Sequence, residues 1–251
     1  MNATSAAARP DLRRRRFGGV IAAAAAAGVI APVGPLQTGA RAAPAVATKS
    51  IELAGYQRVV LAVPADVEIR MSGREGARIT AEQKVIDAIR FAVSGGVLTV
   101  SPVRGFNTEQ PVRIEIDCRQ LAALTASTSV DAKIGAARGD HFELKVADSA
   151  TVEFASLQAS SLAVDIGGSG TVRIGGGQAR SQQVHVGGSG TYEAGEVRSD
   201  TVKIDARGSS DAIVTAQHQL DATVGDAATV RYGGKPKVRR SVRDAGTLEP
   251  R

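Results

Sequence analysis

Few side chains in this sequence are of the kind that does chemistry: three histidines, one cysteine and two Gly-Gly-Ser-Gly loops. His141, His185 and His218 share no His-x-x-x-His spacing, so no single helix face offers a metal two ligands. Cys118 has no second cysteine to pair with. Flanked by the strand-like Ile114, Ile116 and Leu121, it reads as a small buried hydrophobe rather than a reactive thiol. The loops Gly167–Gly170 and Gly187–Gly190 invite four chemical readings, and each fails on a named residue. A P-loop requires Lys after its glycines, and none follows. A dinucleotide fingerprint requires a third Gly before a helix, whereas position 173 is Arg and a strand follows. The calcium-binding nonapeptide places Asp where this chain has Val172 and Tyr192. The nucleophile elbow of hydrolases requires Gly where Thr171 stands. The sequence therefore assigns no catalytic, cofactor-binding or metal-binding residue, and the loops read as structural bends.

The elements that position these residues repeat. Val146-Ala-Asp-Ser-Ala-Thr-Val152, Ile166-Gly-Gly-Ser-Gly-Thr-Val172, Val186-Gly-Gly-Ser-Gly-Thr-Tyr192, Ala206-Arg-Gly-Ser-Ser-Asp-Ala212 and Val224-Gly-Asp-Ala-Ala-Thr-Val230 start 20, 20, 20 and 18 residues apart. A degenerate copy, Leu124 to Val130, precedes them by 22. Self-similarity at this period is the signature of a solenoid. Columns of Leu144, Val164, Val184 and Ile204, and of Val146, Ile166, Val186 and Ala206, flank a polar column of Lys145, Asp165, His185 and Asp205. Apolar positions two apart with a polar one between describe strands with one buried face. Val152, Val172, Tyr192, Ala212 and Val230, and likewise Phe154, Ile174, Ala194, Val214 and Tyr232, read inward on a second strand. Glu153, Arg173 and Glu193 point out between them and alternate in sign. Stacked in parallel about 4.8 Å apart, they would form a ladder of exposed ion pairs. The same stacking puts His185 between Asp165 and Asp205, which suits either a weak metal or pH-sensing site or a charge-compensated surface ladder.

The fold class expected is all-β: a parallel β-helix, or β-solenoid, of about 20-residue coils, preceded by less regular β coils. Residues 48–120 form those N-terminal coils or cap. Within them Ala81 to Phe91 reads as strand in preference to a short helix. Residues 121–234 form the regular solenoid. Residues 235–251 read as a basic flexible tail, because the periodicity stops near Gly234; a solvated end is the favoured reading and contact with anionic polymers or lipids the alternative. Residues 1–47 carry the three parts of a secretory signal: the positive Arg13–Arg16, the uncharged apolar Gly18–Ala31, and small-residue cleavage sites at Ala40-Arg41-Ala42 and Ala45-Val46-Ala47. Arg14-Arg15-Arg16-Phe17 resembles a twin-arginine signal, and an ordinary general-secretion signal fits as well. The apolar run is Ala-rich and short, a weak membrane span, so a cleaved signal is expected with an uncleaved N-terminal anchor as the alternative, and no cysteine lies near the cleavage sites to take a lipid.

The net charge of +6 sits at the ends. Six Arg against one acid precede residue 48, and six cations against two acids run from Lys235 onward, which leaves residues 48–234 at −3. A body of that charge has no electrostatic footprint for nucleic acid.

Ala54-Gly55-Tyr56-Gln57-Arg58-Val59-Val60, Val93-Ser-Gly-Gly-Val-Leu-Thr-Val100, Leu121-Ala-Ala-Leu124, the Gly-Ser-Gly coils and a closing Val230-Arg-Tyr-Gly-Gly-Lys-Pro-Lys237 follow one another in order. This order resembles the head GIN domain family, described as "putative autotransporter adhesins", over about residues 50–238. The resemblance implies an exported bacterial protein with a right-handed β-helical fold, and it offers no catalytic residues to carry over. The chain departs from the family name in showing no translocator barrel of autotransporter size. The function expected is a non-catalytic exported adhesin or cell-envelope scaffold, periplasmic or at the cell surface. Its partner would be an envelope polymer or protein; nucleic acid, a cofactor and a membrane span after cleavage are not expected, and oligomeric state stays open. Two alternatives are a β-helical polysaccharide lyase or hydrolase, which needs clustered carboxylates in a groove, and an envelope-stress regulatory partner, which rests on analogy alone.

Overall fold

The computed structural model describes residues 45–251. The expected export leader, with Arg13–Arg16, Gly18–Ala31 and the site at Ala40–Ala42, lies outside the described residues. The second cleavage site does not, and its Val46 opens a strand, Val46–Ile51.

The 20-residue period winds the chain into a β-solenoid. Thr151–Phe154 pairs in parallel with Asp131–Ile134 on one side and Thr171–Ile174 on the other, Val152 lying on Ala132 and Val172. Ile166 lies directly on Val146 and Val186. Each coil has three faces. The first is Thr151–Phe154 and its equivalents, the second Leu157–Ala159, the third Ser161–Ile166. The interior is aliphatic: Val152, Val172, Ile166, Val186 and Leu144 are all buried. Burying each such side chain stabilises by roughly 1.5–3 kcal/mol. Phe142 and Phe154 add an edge-to-face pair at 5.3 Å, a favoured aromatic geometry.

Between the third face of one coil and the first face of the next runs a column of left-handed residues: Thr128, Asp148, Gly168, Gly188, Gly208, Asp226 and Asp244, all with positive φ. At Gly188 glycine is required twice over. Its φ is +66°, and a Cβ there would lie 2.5 Å from the carbonyl oxygen of Gly168. Where the column carries aspartate, the carboxylate is used. Asp148 Oδ2 accepts the Thr128 N–H at 2.9 Å, and Asp226 Oδ2 accepts the Gly208 N–H at 2.9 Å. The short polar side chain of Asp tolerates this conformation because it can bond locally.

The column also corrects the register of the earliest copy. Leu124 pairs with Leu144 and Ala126 with Val146, so that coil starts at Ala126, one period before Val146, and not at Leu124. The later coils shorten to 18 residues through register shifts between Glu193/Arg198 and Ser199/Thr201.

The N-terminal third closes one end of the stack. Arg58–Leu61 and Asp66–Met71 make a coil with parallel neighbours on both sides: Val97–Pro102 and Arg113–Cys118 on one, Ala123–Ala126 and Asp131–Ile134 on the other. Chain order and stacking order therefore differ. Beyond that layer the pairing turns antiparallel: Gly76–Glu82 on Arg113–Cys118, Val46–Ile51 on Gly76–Glu82, and Ile89–Ser94 on Val97–Pro102. The expectation of strand through Ala81–Phe91 is corrected here, because Gln83–Ile86 is one helical turn. Gln83 Nε2 donates to Asp87 Oδ1 at 3.0 Å along it, and Val85 and Ile86 plug the core. Glu82 accepts hydrogen bonds from Thr108 Oγ1 at 2.9 Å and the Glu109 N–H at 2.8 Å, latching the loop over this end.

The flexible tail is also corrected. Lys237–Val242 pairs in parallel with Gln219–Val224, and Thr247–Pro250 with Thr229–Tyr232. They form one more coil. Val242-Arg-Asp-Ala-Gly-Thr-Leu248 repeats Val224-Gly-Asp-Ala-Ala-Thr-Val230 at the 18-residue spacing, a signal hidden by the loss of the glycine pair and by Arg240, which takes an inward position above Ala222.

Candidate functional site

The expected polar column exists: Asp165, His185 and Asp205 stand in register on the third face. It does not make the site its spacing suggested. Asp205 gives both carboxylate oxygens to Arg207, at 2.8 and 3.1 Å. That hydrogen bond, against a smaller desolvation effect, holds the Asp205 carboxyl below its ordinary value. No ion pair joins His185 to either neighbour, and no group of three or more metal-ligating side chains occurs among the described residues. His218 faces Asp200 at 3.6 Å on an exposed surface. His141 contacts Ser161 through Nδ1 and Oγ, a Ser–His contact missed by reading the sequence because the partners are one coil apart. The pair is exposed, and no carboxylate orients the imidazole among the described residues, so it lacks what activates a serine.

The third face instead supplies a continuous trough. Two shallow concavities of about 480 and 410 Å³ adjoin there and share Ala163, Gln183 and Lys203. Three outward columns floor it: Ser161–Ser181–Thr201, Ala163–Gln183–Lys203 and Asp165–His185–Asp205. Ala163 makes the notch, being the small member of its column. Gln183 and Lys203 make no hydrogen bond or ion pair among the described residues, so their amide and ammonium are free for a ligand. The result is a ladder of hydroxyl, amide, ammonium and carboxylate groups repeating about every 4.8 Å, with no aromatic platform.

The first face carries a concavity of about 670 Å³ whose lining has more acids than bases. The expected ladder is there: Arg173 reaches Glu193 at 2.8 Å and Glu153 at 3.6 Å. Alternation runs on through Lys133 to Glu68 and breaks between Glu68 and Glu115, while Asp66 lies between Arg113 and Asp131. Arg70 relieves the Glu68–Glu115 pair by holding Glu115 at 2.7 Å.

The family model described as "Putative auto-transporter adhesin, head GIN domain" matches residues 55–236. The chain belongs to this family. Solved structures agree with this head GIN domain in fold. A putative adhesin from Bacteroides fragilis NCTC 9343 superposes with a TM-score of 0.73 at 20% identity, covering 83% of this chain and 99% of that one. A putative adhesin from Parabacteroides distasonis ATCC 8503 gives 0.66 at 21%, with 82% and 97% covered. A protein of the same organism described as a putative lipid binding protein gives 0.65 at 18%, with 82% and 96% covered. At these identities the likeness is one of fold. No curated protein matches the chain at a significant level.

In this head GIN domain Cys118 is fully buried, as its flanks suggested. Desolvation pushes its thiol up to about 12, which leaves it without thiolate character at neutral pH. Buried Tyr56 beside it donates to the Asp117 carbonyl at 2.6 Å, tying the opening segment to the closed end. No helix among the described residues is long and apolar enough to cross a membrane.

Proposed function

We propose that the protein is an exported, non-catalytic adhesin or cell-envelope scaffold that binds an extended polar polymer, a glycan chain in the first instance, along its third face. One observation carries this reading: the trough across successive coils whose Gln183 and Lys203 are exposed and uncommitted. Regular spacing suits a repeating polymer, since each coil can meet one repeat with the same kind of group. Affinity then comes from many weak contacts. A purified full chain on glycan arrays and on envelope polysaccharide fractions tests it. Binding is expected to fall at least tenfold in the Gln183→Ala/Lys203→Glu double variant, whose fold should be unaffected because both side chains are exposed. Blank arrays together with blank envelope fractions, or binding indifferent to that variant, would sink the reading.

The acidic first face supports a second reading, cleavage of a polysaccharide, because Asp66, Glu68, Asp131 and Glu153 line one concavity. Paired carboxylates are what glycoside hydrolysis uses. A reducing-sugar assay on common acidic polysaccharides, run beside Asp66→Asn and Glu68→Gln, separates the two. Activity lost in both variants would favour the enzyme.

A further inference from the structure

The last coil differs from the rest in how its charges are matched. Along the body, outward cations find carboxylates: Arg173 between Glu153 and Glu193, Arg70 on Glu115, Arg231 on Glu249 at 2.8 Å. In the segment from Lys235 to Arg243, Lys235, Lys237, Arg240 and Arg243 make no ion pair among the described residues, and Arg239 reaches Asp221 only at 4.0 Å. Of the nearby acids, Glu249 is used by Arg231 and Asp226 by the Gly208 N–H, which leaves Asp244 in the adjoining turn as one carboxylate against five cations. Lys237–Val242 pairs with Gln219–Val224 on one side, and among the described residues nothing pairs with its other edge.

The same strand exposes Val238 by 36% and Val242 by 41%, two of the four large apolar side chains that are exposed among the described residues. Both continue inward columns, over Leu220 and Val224, with nothing stacked above them. Cations on an edge strand deter unwanted sheet pairing, and Arg240 on an inward column answers that need by itself. The surrounding cations and the bare valines go further. Together they match a surface that is anionic and has an apolar layer just beneath.

We propose that this end of the solenoid docks on an anionic lipid bilayer, with Lys235, Lys237, Arg239, Arg240 and Arg243 at the headgroup phosphates and Val238 and Val242 at the acyl boundary. Clustered Lys and Arg are drawn to anionic leaflets, and apolar side chains among them add buried area at the interface. A soluble polyanion would reward the cations alone. A second copy meeting end to end would set like charges against each other. The site continues the third face, whose Lys203 column runs on through Asp221 to Arg239, so a protein held by this end has its trough running away from the membrane.

The test uses the full chain with vesicles of phosphatidylglycerol in phosphatidylcholine and with vesicles of phosphatidylcholine alone, read by co-sedimentation and by hydrogen–deuterium exchange. Protection of residues 235–250 by the anionic vesicles only is expected, with binding weakened at least tenfold at high salt. The Lys237→Gln/Arg239→Gln/Arg243→Gln variant, altered at outward and turn positions that leave the coil intact, should lose that protection, and Val238→Ser/Val242→Ser should weaken it. Three outcomes overturn the proposal: protection confined to residues 1–44, equal protection by dextran sulfate of matched charge, and concentration-dependent protection without lipid that tracks dimerisation in light scattering.

Discussion

Inside the coils a polar chain interrupts the aliphatic packing. Buried Tyr192 donates to Gln182 Oε1 at 2.7 Å, and Gln182 Nε2 donates to Ser199 Oγ at 2.7 Å. Burial raises the tyrosine's pKa, so it stays a donor. Tyr192→Phe should destabilise by about 1–3 kcal/mol, because it leaves a buried amide oxygen without a donor; a shift in the urea midpoint would measure it, and an unchanged midpoint would contradict the network. Glu82 gives a pH dependence. Its contact with Lys84 at 2.8 Å and the Glu109 N–H pull its carboxyl down to about 2, from an ordinary value of 4.5. A folded pKa below the unfolded one means stability that is complete above about pH 4.5 and lost as pH falls towards 2. Glu82→Gln should therefore flatten the stability profile in that window, most visibly in exchange of the 108–110 loop. Tyr192 was legible as an inward residue from its column alone. Its partner was not, because Gln182 sits between Leu162 and Val202 in a column that otherwise announces a dry core.

At the scale of the element, the turn column decides the winding. Gly188→Ala should cost about 1–3 kcal/mol, since it forces a side chain into a left-handed conformation and against the carbonyl of Gly168; thermal unfolding followed by circular dichroism reads this. Asp148→Ala should cost less, as it removes one capping bond and keeps the path of the chain. Strands and their stacking were readable because three-face coils impose a period of about 20 on hydrophobicity. The helical turn at Gln83–Ile86 was not, since a four-residue element has no room to show a period and is held by the latch at Glu82 and the core contacts of Val85 and Ile86. The last coil escaped for a different reason. Its inward positions are uncovered, so it needs no apolar residue at each one, and the pattern that betrays a strand fades where burial ends. The trough was half visible: its columns could be listed, but which polar groups remain uncommitted depends on bonds such as Arg207 to Asp205.

Across the whole molecule the two ends are unlike. One is sealed by antiparallel strands, a helical turn and the Tyr56 bond. At the other, Lys237–Val242 is exposed throughout and one edge of it is unpaired among the described residues. In a stack where each coil touches only its neighbours, stability is a sum of unit and interface terms, so fraying should start at the bare end. Exchange without lipid should be slowest between Leu144 and Ala206 and fastest in Lys237–Val242; uniform protection would show that the solenoid opens as one block instead. This asymmetry also makes size adjustable. A second copy of Thr171–Gly190 spliced into the middle of the stack would find the shape of its own template above and below, and would lift the cationic strand by about one rung, 4.8 Å, while the plug at the far pole noticed nothing. Reach, in such an architecture, can be altered by whole rungs without redesigning either tip.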